Sequence, residues 1–219
     1  MSLTVACVLV RGEVAYTPEY VSRLRAMATR WLDRPFRFCC LTDQPDAMPV
    51  DVEPIAIQKL AGFGYWSKLE LFNPARRWTG RVLYLDLDTL VVASLAPIVD
   101  DPAAFALTAD PIGRGRARDA FGRLIIRRFN SSVMVWDGGT QTYLYEGWTP
   151  ADAARLSGDQ DWIAEQAPDA AALPRLWFPR LSEVTGPPFG EAKVILSKVP
   201  KNHQAVARYP WFAPLWGAA

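Results

Sequence analysis

Two aspartates, Asp86 and Asp88, lie two positions apart in a segment, residues 81–92, whose other residues are mostly apolar. Such a run is typical of a parallel strand covered on both faces, where an ionised carboxylate is unfavourable unless a cation lies beside it. Side chains two positions apart on a strand point to the same side, and a bend at the strand end would bring both carboxylates to one metal ion. Oxygen ligands of this kind suit Mg²⁺ or Mn²⁺. The alternative is that Asp88 caps the turn after the strand and Asp86 is solvated at a sheet edge.

Removal of both carboxylates has a predicted effect on stability. From the sequence alone, replacing Asp86 and Asp88 by alanine should leave the fold intact or slightly more stable, because the repulsion between two like charges disappears. The same replacement should remove most of the metal-dependent affinity for a ligand.

Alternating strand and helix signals predict an α/β fold. Strands are predicted at 4–10, 37–41, 105–108 and 130–136, and helices at 65–72 and from Pro18 onward. This order predicts a mainly parallel central sheet with helices on both faces. Ligands of such sheets bind beyond the carboxyl ends of the strands, where Asp43, Asp86 and Asp88 fall.

The whole chain, residues 1–219, is expected to form a single domain. Half of its residues are hydrophobic, which is enough for one large core. Residues 1–165 hold the alternating elements. Residues 166–219 are rich in proline and tryptophan, which predicts an irregular tail that closes part of the site.

Composition narrows the class of protein further. The net charge is +1, so nothing in the overall charge argues for nucleic acid or an anionic membrane as a partner. Apolar runs are too short to span a bilayer, and the N-terminus lacks the pattern of a secretory signal. Cys7, Cys39 and Cys40 lie in strand-like runs, which favours reduced, buried thiols over disulfides or a zinc site. We therefore expect a cytoplasmic protein without a transmembrane segment.

Four blocks of sequence, taken in order, resemble one known family. They are YWSKLELF at 65–72, RVLYLDLDTL at 81–90, FNSSVMVW at 129–136 and GDQDW at 158–162. Together they resemble the nucleotide-sugar glycosyltransferases of the GT-A fold, closest to glycosyltransferase family 8. Each block alone is a weak signal, but their order and spacing cover about residues 1 to 165.

The resemblance implies a retaining hexosyltransferase that moves a hexose from a UDP-sugar to an unknown acceptor, a glycan, a lipid-linked sugar or a small molecule. Mn²⁺ or Mg²⁺ would act as a Lewis acid, held by Asp86 and Asp88 and bridging them to the two phosphates. Asp159 and Gln160 are the implied catalytic residues, near the anomeric carbon of the donor sugar. The implied donor-binding residues are Tyr16 on the uracil, Arg11 and Asp43 at the base and ribose, Lys68 and Asp86 near the phosphates and sugar, and Asn130 and Ser131 on sugar hydroxyls.

Several of these residues also have a purely structural interpretation. Lys68 is equally typical of the exposed face of an amphipathic helix, and Tyr16 of simple packing. Asn130 and Ser131 open a strand, where their side chains can satisfy backbone groups in a turn. Asp159 follows a glycine and precedes a short helix, so it is a suitable N-cap residue.

The third metal ligand of the family, a histidine before a Pro-Lys pair, is missing from this sequence. Alignment on Pro200 and Lys201 puts Ser197 and Lys198 where a histidine and a glycine belong. The single histidine, His203, is the candidate replacement ligand, with a surface position after a turn as the alternative.

Six arginines lie between residues 114 and 128. They predict a lid over the diphosphate, a contact to an anionic acceptor, or a solvated loop without a ligand. Two other functions compete with the transferase: a nucleotidyltransferase, which would need a glycine-rich basic signature after the first strand, and a non-catalytic sugar- or nucleotide-binding module with a degraded metal site.

Overall fold

The structure, a computed structural model, describes residues 2–12, 16–110, 115–197 and 201–217. Eleven strands lie within these ranges: β1 Leu3–Leu9, β2 Arg37–Thr42, β3 Glu53–Ala56, β4 Arg81–Leu85, β5 Thr89–Val91, β6 Phe105–Ala109, β7 Gly115–Arg118, β8 Leu124–Arg127, β9 Phe129–Asp137, β10 Ala171–Leu173 and β11 Val194–Leu196. The described α-helices are α1 Pro18–Trp31, α2 Ala96–Val99, α3 Tyr143–Glu146, α4 Pro150–Arg155, α5 Asp159–Gln166, α6 Asn202–Arg208 and α7 Phe212–Trp216. Short 3-10 helices cover Pro45–Ala47, Gly64–Phe72, Pro74–Arg76, Arg175–Trp177 and Leu181–Glu183.

Seven strands form the central sheet in the order β10-β6-β9-β4-β1-β2-β3. Strand β9 is antiparallel to both neighbours, and the other pairs are parallel. The carboxyl ends of β1, β2 and β4 therefore meet the beginning of β9 at one edge. This confirms the predicted mainly parallel α/β sheet and places the segments after these strands side by side.

Two hydrophobic cores cover the two faces of the sheet, because successive side chains of a strand point to opposite sides. Val5 and Cys7 of β1 pack with α1, α6 and α7 on one face. Ala6 packs on the other face with the 3-10 helix Gly64–Phe72, α3 and α5. Helices thus lie on both faces, as the sequence predicts.

The predicted strand at 81–92 needs correction: the strand before the two aspartates is shorter than this apolar run suggests. Strand β4 ends at Leu85, and a turn separates it from β5. Strand β5 then leaves the central sheet and pairs antiparallel with β11 of the tail. The apolar residues after the turn are still buried, but in the contact with the tail.

The tail combines irregular segments with short regular elements. Strand β10 joins the edge of the central sheet beside β6, so residues 171–173 belong to the core architecture. Helices α6 and α7 pack through Ala205, Phe212 and Trp216 into the core that contains α1. Proline and tryptophan content did not reveal these short elements.

Strands β7 and β8 form a separate hairpin that contains most of the arginine cluster. Arg114 lies outside the described residues. All three cysteines are buried and free, as predicted. Among the described helices, none has both the length and the apolar character needed to cross a membrane.

Candidate functional site

Asp86 and Asp88 lie on the turn that follows β4. The backbone N–H of Asp86 donates to the carbonyl of Ser132 on β9, 2.8 Å away, and the Asp86 carbonyl accepts from the Thr89 hydroxyl at 2.7 Å. These bonds fix the bend that the sequence allowed. Both carboxylates are partly exposed, 23% for Asp86 and 14% for Asp88, so they border on solvent at the edge of the sheet.

Lys68 connects three segments of the chain at this edge. Its Nζ lies 3.1 Å from Asp86 Oδ1 and 3.4 Å from Asp159 Oδ2, and it donates to Ser131 Oγ at 3.0 Å. The side chain is only 9% exposed, so it is not a surface lysine. Tyr84 adds a hydrogen bond from its hydroxyl to Asp86 Oδ1.

The charge state of Lys68 follows from its neighbours. Burial alone would lower the pKa of its ammonium, but attraction to the negative charges of Asp159 and Asp86 outweighs burial and raises the pKa above its usual value. Lys68 is therefore a fixed, buried positive charge at neutral pH.

Asp159 begins α5, with Gly158 as the residue before the helix. No side-chain capping bond is made at this helix start, so the predicted N-cap role of Asp159 is not observed. Its carboxylate is directed to Lys68 instead. The atom Oδ2 is buried and accepts no hydrogen bond within the described part of the chain, the 3.4 Å approach of Lys68 being an ion pair alone. A buried carboxylate oxygen with spare capacity is unusual and is suited to a polar ligand.

A second cluster surrounds Asp88. Its Oδ2 lies 2.6 Å from Lys201 Nζ and accepts from the Tyr16 hydroxyl at 2.8 Å. Lys201 also donates to the Tyr16 hydroxyl, and its Nζ lies 4.9 Å from the centre of the Tyr16 ring. Tyr16, predicted to stack on uracil, therefore contacts the second aspartate through its hydroxyl.

Burial and the neighbouring carboxylate control the ionisation of this cluster. Burial, followed by repulsion from Asp86, raises the pKa of Asp88, and Lys201 and Tyr16 offset only part of this effect. Burial, together with the Asp88 charge, also raises the pKa of the Tyr16 hydroxyl. Tyr16 therefore stays protonated and is a hydrogen-bond donor at neutral pH.

Ser197, the residue aligned with the missing histidine, lies beside Asp88. Its backbone N–H donates to the Asp88 carbonyl at 3.1 Å, directly after β11 pairs Leu196 with Thr89. The Ser197 hydroxyl is buried and has no hydrogen-bond partner among the described residues. Lys198 and Pro200, the other aligned positions, lie outside the described residues.

His203 is held by Tyr20. Its Nδ1 lies 2.6 Å from the Tyr20 hydroxyl, which also accepts from the His203 backbone N–H at 3.2 Å. Within the described ranges, no three His, Cys, Asp or Glu side chains form a group that could hold a metal ion. Asp86 and Asp88 alone would offer carboxylate oxygens, and His203 as third ligand stays a prediction.

The remaining predicted site residues lie at the same edge of the sheet. The Asn130 carbonyl oxygen of the side chain accepts from the Ser132 N–H at 2.9 Å, which is the turn-stabilising role considered above. Arg11 meets Asp43 through its backbone N–H, 3.2 Å from Oδ1. Gln160 is partly buried next to Asp159 on α5. Their ligand-binding roles stay predictions.

Lys201 belongs to the second cluster, although the sequence analysis gave it no role there. Two features of the sequence pointed to this contact. Two partly buried carboxylates required a cation, and Lys201 lies in the segment aligned with the metal-binding tail of the family. The sequence does not show that the two residues are in contact, because Asp88 and Lys201 are 113 positions apart in the chain.

Comparison with protein-family models and with curated proteins finds no match to the sequence. Solved structures do share the fold. The galactosyltransferase LgtC, in complex with donor and acceptor sugar analogues, has a TM-score of 0.66 at 14% identity, over 98% of this chain and 95% of its own.

Two further glycosyltransferases match more distantly. The bifunctional WbbM in its apo form has a TM-score of 0.60 at 13% identity, over 99% of this chain and 51% of its own. The apo form of GlyE from Streptococcus pneumoniae TIGR4 has a TM-score of 0.55 at 16% identity, over 81% of this chain and 46% of its own. The chain thus has the α/β GT-A fold of glycosyltransferases, as the resemblance to family 8 predicted.

Proposed function

We propose that this protein is a retaining glycosyltransferase that transfers a hexose from a UDP-sugar to the hydroxyl group of an acceptor. The observation that carries the proposal is the convergence of Lys68, Asp86 and Asp159 at the carboxyl edge of the sheet, with one Asp159 oxygen buried and free to accept a hydrogen bond. The shared fold with LgtC, which was solved with donor and acceptor sugar analogues, supports it.

In this proposal the donor lies along the edge formed by the ends of β1, β2 and β4. Arg11, Asp43 and Tyr16 lie on the segments after β1 and β2 and receive the nucleoside. Lys68 carries a fixed positive charge beside Asp86 and receives the phosphates and the sugar. Asn130 and Ser131 supply hydrogen bonds to sugar hydroxyls, together with Gln160.

Asp86 and Asp88 are the residues that would hold a divalent cation. Their oxygens are of the type that Mg²⁺ and Mn²⁺ prefer. The fit needs two further conditions: diphosphate oxygens must complete the ligand set, and the Lys201 ammonium must leave Asp88. When bound, the cation supplies Lewis-acid stabilisation of the diphosphate leaving group.

Transfer with retention breaks the bond between the anomeric carbon and the β-phosphate oxygen, and the electron pair leaves with the phosphate. The acceptor oxygen forms its bond to the same face of the carbon, and its proton passes to the departing phosphate. Asp159, whose Oδ2 pairs with Lys68 but accepts no hydrogen bond among the described residues, would stabilise positive charge that develops at the anomeric carbon. Lys68 holds the Asp159 carboxylate in position throughout.

A donor-binding module without turnover is the second candidate. Ser197 in place of a histidine, together with the contact of Lys201 with Asp88, favours it, since both reduce the capacity of the site for a cation. The two functions share the nucleotide site and differ in chemistry.

A panel of UDP-sugars with and without Mn²⁺ separates these functions. Calorimetry should show metal-dependent UDP binding that is lost in the Asp86→Asn, Asp88→Asn double variant and kept in the control Asp46→Asn, an exposed residue. Chromatography should show slow hydrolysis of one UDP-sugar, and NMR of the released hexose should show the anomer of the donor. Binding without hydrolysis of any donor would favour the module, and absence of UDP binding would refute both.

A further inference from the structure

The hairpin of β7 and β8 presents an unusual outward face. Its register pairs Arg116 with Ile126 and Arg118 with Leu124 across the two strands. Leu124 and Ile126 are each 54% exposed, and Phe121 in the connecting turn is 69% exposed. The outward face therefore alternates guanidinium groups with large apolar side chains.

This exposure is concentrated rather than scattered. Seven large hydrophobic side chains are exposed among the described residues, and three of them belong to this hairpin. The opposite face of the hairpin packs against the protein, because Ile125 is buried in the core beneath it. A hairpin with one face on the core normally has polar residues on the other, so exposed apolar residues here indicate a contact surface.

The hairpin is fixed firmly to the body of the protein. Arg127 binds both carboxylate oxygens of Asp161 on α5, each at 2.9 Å. In the turn, Asp119 Oδ1 accepts from the N–H groups of Phe121 and Arg123 at 2.9 and 2.8 Å, and Arg155 of α4 pairs with Asp119 Oδ2 at 3.4 Å. The ion pairs that hold the hairpin in position are thus made by Arg127 and Arg155. The arginines of the exposed face, Arg116 and Arg118, take no part in them.

We propose that this face docks on the surface of a lipid bilayer that contains anionic phospholipids. Arg116, Arg118 and Arg123 are exposed and match the negative headgroups, while Phe121, Leu124 and Ile126 enter the boundary between headgroups and acyl chains. The net charge of +1 conceals this local concentration of positive charge.

Other occupants match the chemistry less well. A soluble anionic glycan or a nucleic acid would satisfy the arginines but would leave the three apolar side chains without an apolar partner. A second copy of the chain, packed face to face, would bring arginines against arginines, which is unfavourable. An anionic bilayer satisfies both kinds of side chain.

The attachment of the hairpin to α5 connects this surface to the candidate functional site. Arg127 holds Asp161, two residues after Asp159 on α5. Docking at the hairpin would therefore bring α5 close to the bilayer, which fits an acceptor sugar carried on a lipid; this last step rests on the proposed function.

Vesicle co-sedimentation of the full chain, without nucleotide, tests the surface alone. The wild type should bind phosphatidylcholine vesicles only when phosphatidylglycerol is included. The Leu124→Thr, Ile126→Thr variant keeps β propensity and should lose most binding. The Arg116→Gln, Arg123→Gln variant should bind about 25-fold more weakly, since each basic residue near an anionic surface contributes about a fivefold factor. Val50→Thr and Arg30→Gln, exposed residues outside the hairpin, serve as matched controls and should bind as the wild type does.

Three results would overturn the proposal: no binding by the wild type, equal binding by all variants, or sedimentation velocity that shows a dimer which the threonine variant dissociates. None of these measurements requires turnover, so failure of the proposed transferase activity would leave the test intact. Loss of transfer to lipid-linked but not to soluble acceptors in the threonine variant would then support the acceptor class.

Discussion

At the scale of single residues, the central feature is the pairing of each aspartate on the turn with a lysine from elsewhere in the chain. Asp86 pairs with Lys68, and Asp88 with Lys201. The sequence indicated that a cation must lie beside these carboxylates. In the structure, two ammonium groups meet that requirement before any metal is considered.

This pairing reverses the stability expected for the alanine double variant. Asp86→Ala with Asp88→Ala relieves repulsion between two carboxylates but leaves Lys201 without its carboxylate partner and Lys68 with Asp159 alone. Since breaking a buried ion pair from one side costs about 3–5 kcal/mol, we expect a loss of about 3 kcal/mol in the free energy of unfolding. Urea denaturation measures it, with Asp46→Ala, Asp169→Ala as a control pair of exposed aspartates. A double variant as stable as the wild type would mean that water solvates the ammonium groups of Lys68 and Lys201 in place of the aspartates.

Lys201 should compete with a divalent cation for Asp88. In Lys201→Met the ammonium is gone, so binding of Mn²⁺ in the absence of nucleotide should tighten by about tenfold, the equivalent of about 1.4 kcal/mol. Titration of Mn²⁺ followed by electron paramagnetic resonance measures the affinity. Lys193→Met removes a lysine of the same tail without touching Asp88 and should change nothing. Equal affinity in all three proteins would contradict competition.

Asp159 should be needed for turnover more than for folding. Asp159→Asn keeps the size of the side chain and leaves Lys68 paired with Asp86, but it removes the negative charge beside the reacting carbon. Loss of one such electrostatic contact should reduce donor hydrolysis about 100-fold. Asp169→Asn, an exposed aspartate that follows the same helix, is the control. Unchanged hydrolysis would make Asp159 a structural residue only.

At the scale of elements, the 3-10 helix Gly64–Phe72 positions Lys68 because Glu70 ties it to the neighbouring loop. Glu70 is fully buried, and its carboxylate accepts from the N–H groups of Gln58 and Leu60 at 3.1 Å each and from Arg76 at 2.5 Å. Burial alone would raise the pKa of Glu70, but the hydrogen bonds from Asn73 and Leu60 and the contact with Arg76 lower it.

Glu70→Gln should destabilise the protein by about 3 kcal/mol at neutral pH, because Arg76 loses its buried partner. A carboxyl whose folded pKa is lowered contributes stability above its unfolded pKa, about 4.3, and loses it as the pH falls through the folded value. The difference between wild type and variant should therefore shrink below about pH 4. Urea midpoints at several pH values measure this difference, and the exposed control Glu191→Gln should show none. A difference that stays constant with pH would contradict a charge-based role.

Elements with a clear period were predictable from sequence, and contacts between distant elements were not. The start of helix α1 and strand β2 appeared within a residue or two of their predicted positions, since apolar spacing determines them locally. The apolar run at 81–92 was wrongly predicted as one strand, because a turn after Leu85 divides it into β4 and β5. Strand β10, only three residues long, carries too little local signal and forms because β6 offers an open edge. The N-cap expected of Asp159 failed because a buried ammonium offered its carboxylate a better partner than the helix start.

At the scale of the whole molecule, the second cluster joins three distant parts of the chain: Tyr16 after β1, Asp88 after β4, and Lys201 before α6. The docking of the tail holds Lys201 in place. Trp216 of α7 packs against the Tyr20 ring, with centroids 5.1 Å apart, and the guanidinium of Arg23 lies 4.2 Å from the Trp216 ring centre.

Phe212 should contribute strongly to global stability through this docking. Its side chain is fully buried between the tail helices and the core, so Phe212→Ala should cost about 3–5 kcal/mol in the free energy of unfolding. Phe121→Ala removes the same atoms from the exposed turn of the hairpin and should change stability by less than about 0.5 kcal/mol. Guanidinium denaturation compares the two. Similar values for both would mean that the tail contributes little to the stability of the core.

The contact between Asp88 and Lys201 also has a consequence for synthesis on the ribosome. The chain emerges from its N-terminus, so Asp86 and Asp88 leave the exit tunnel long before residue 201 is translated. During that interval β5 lacks β11, and Asp88 lacks its ammonium partner. In the nascent chain Asp88 is therefore open to divalent cations, and the emergence of Lys201 from the tunnel is the event that neutralises it.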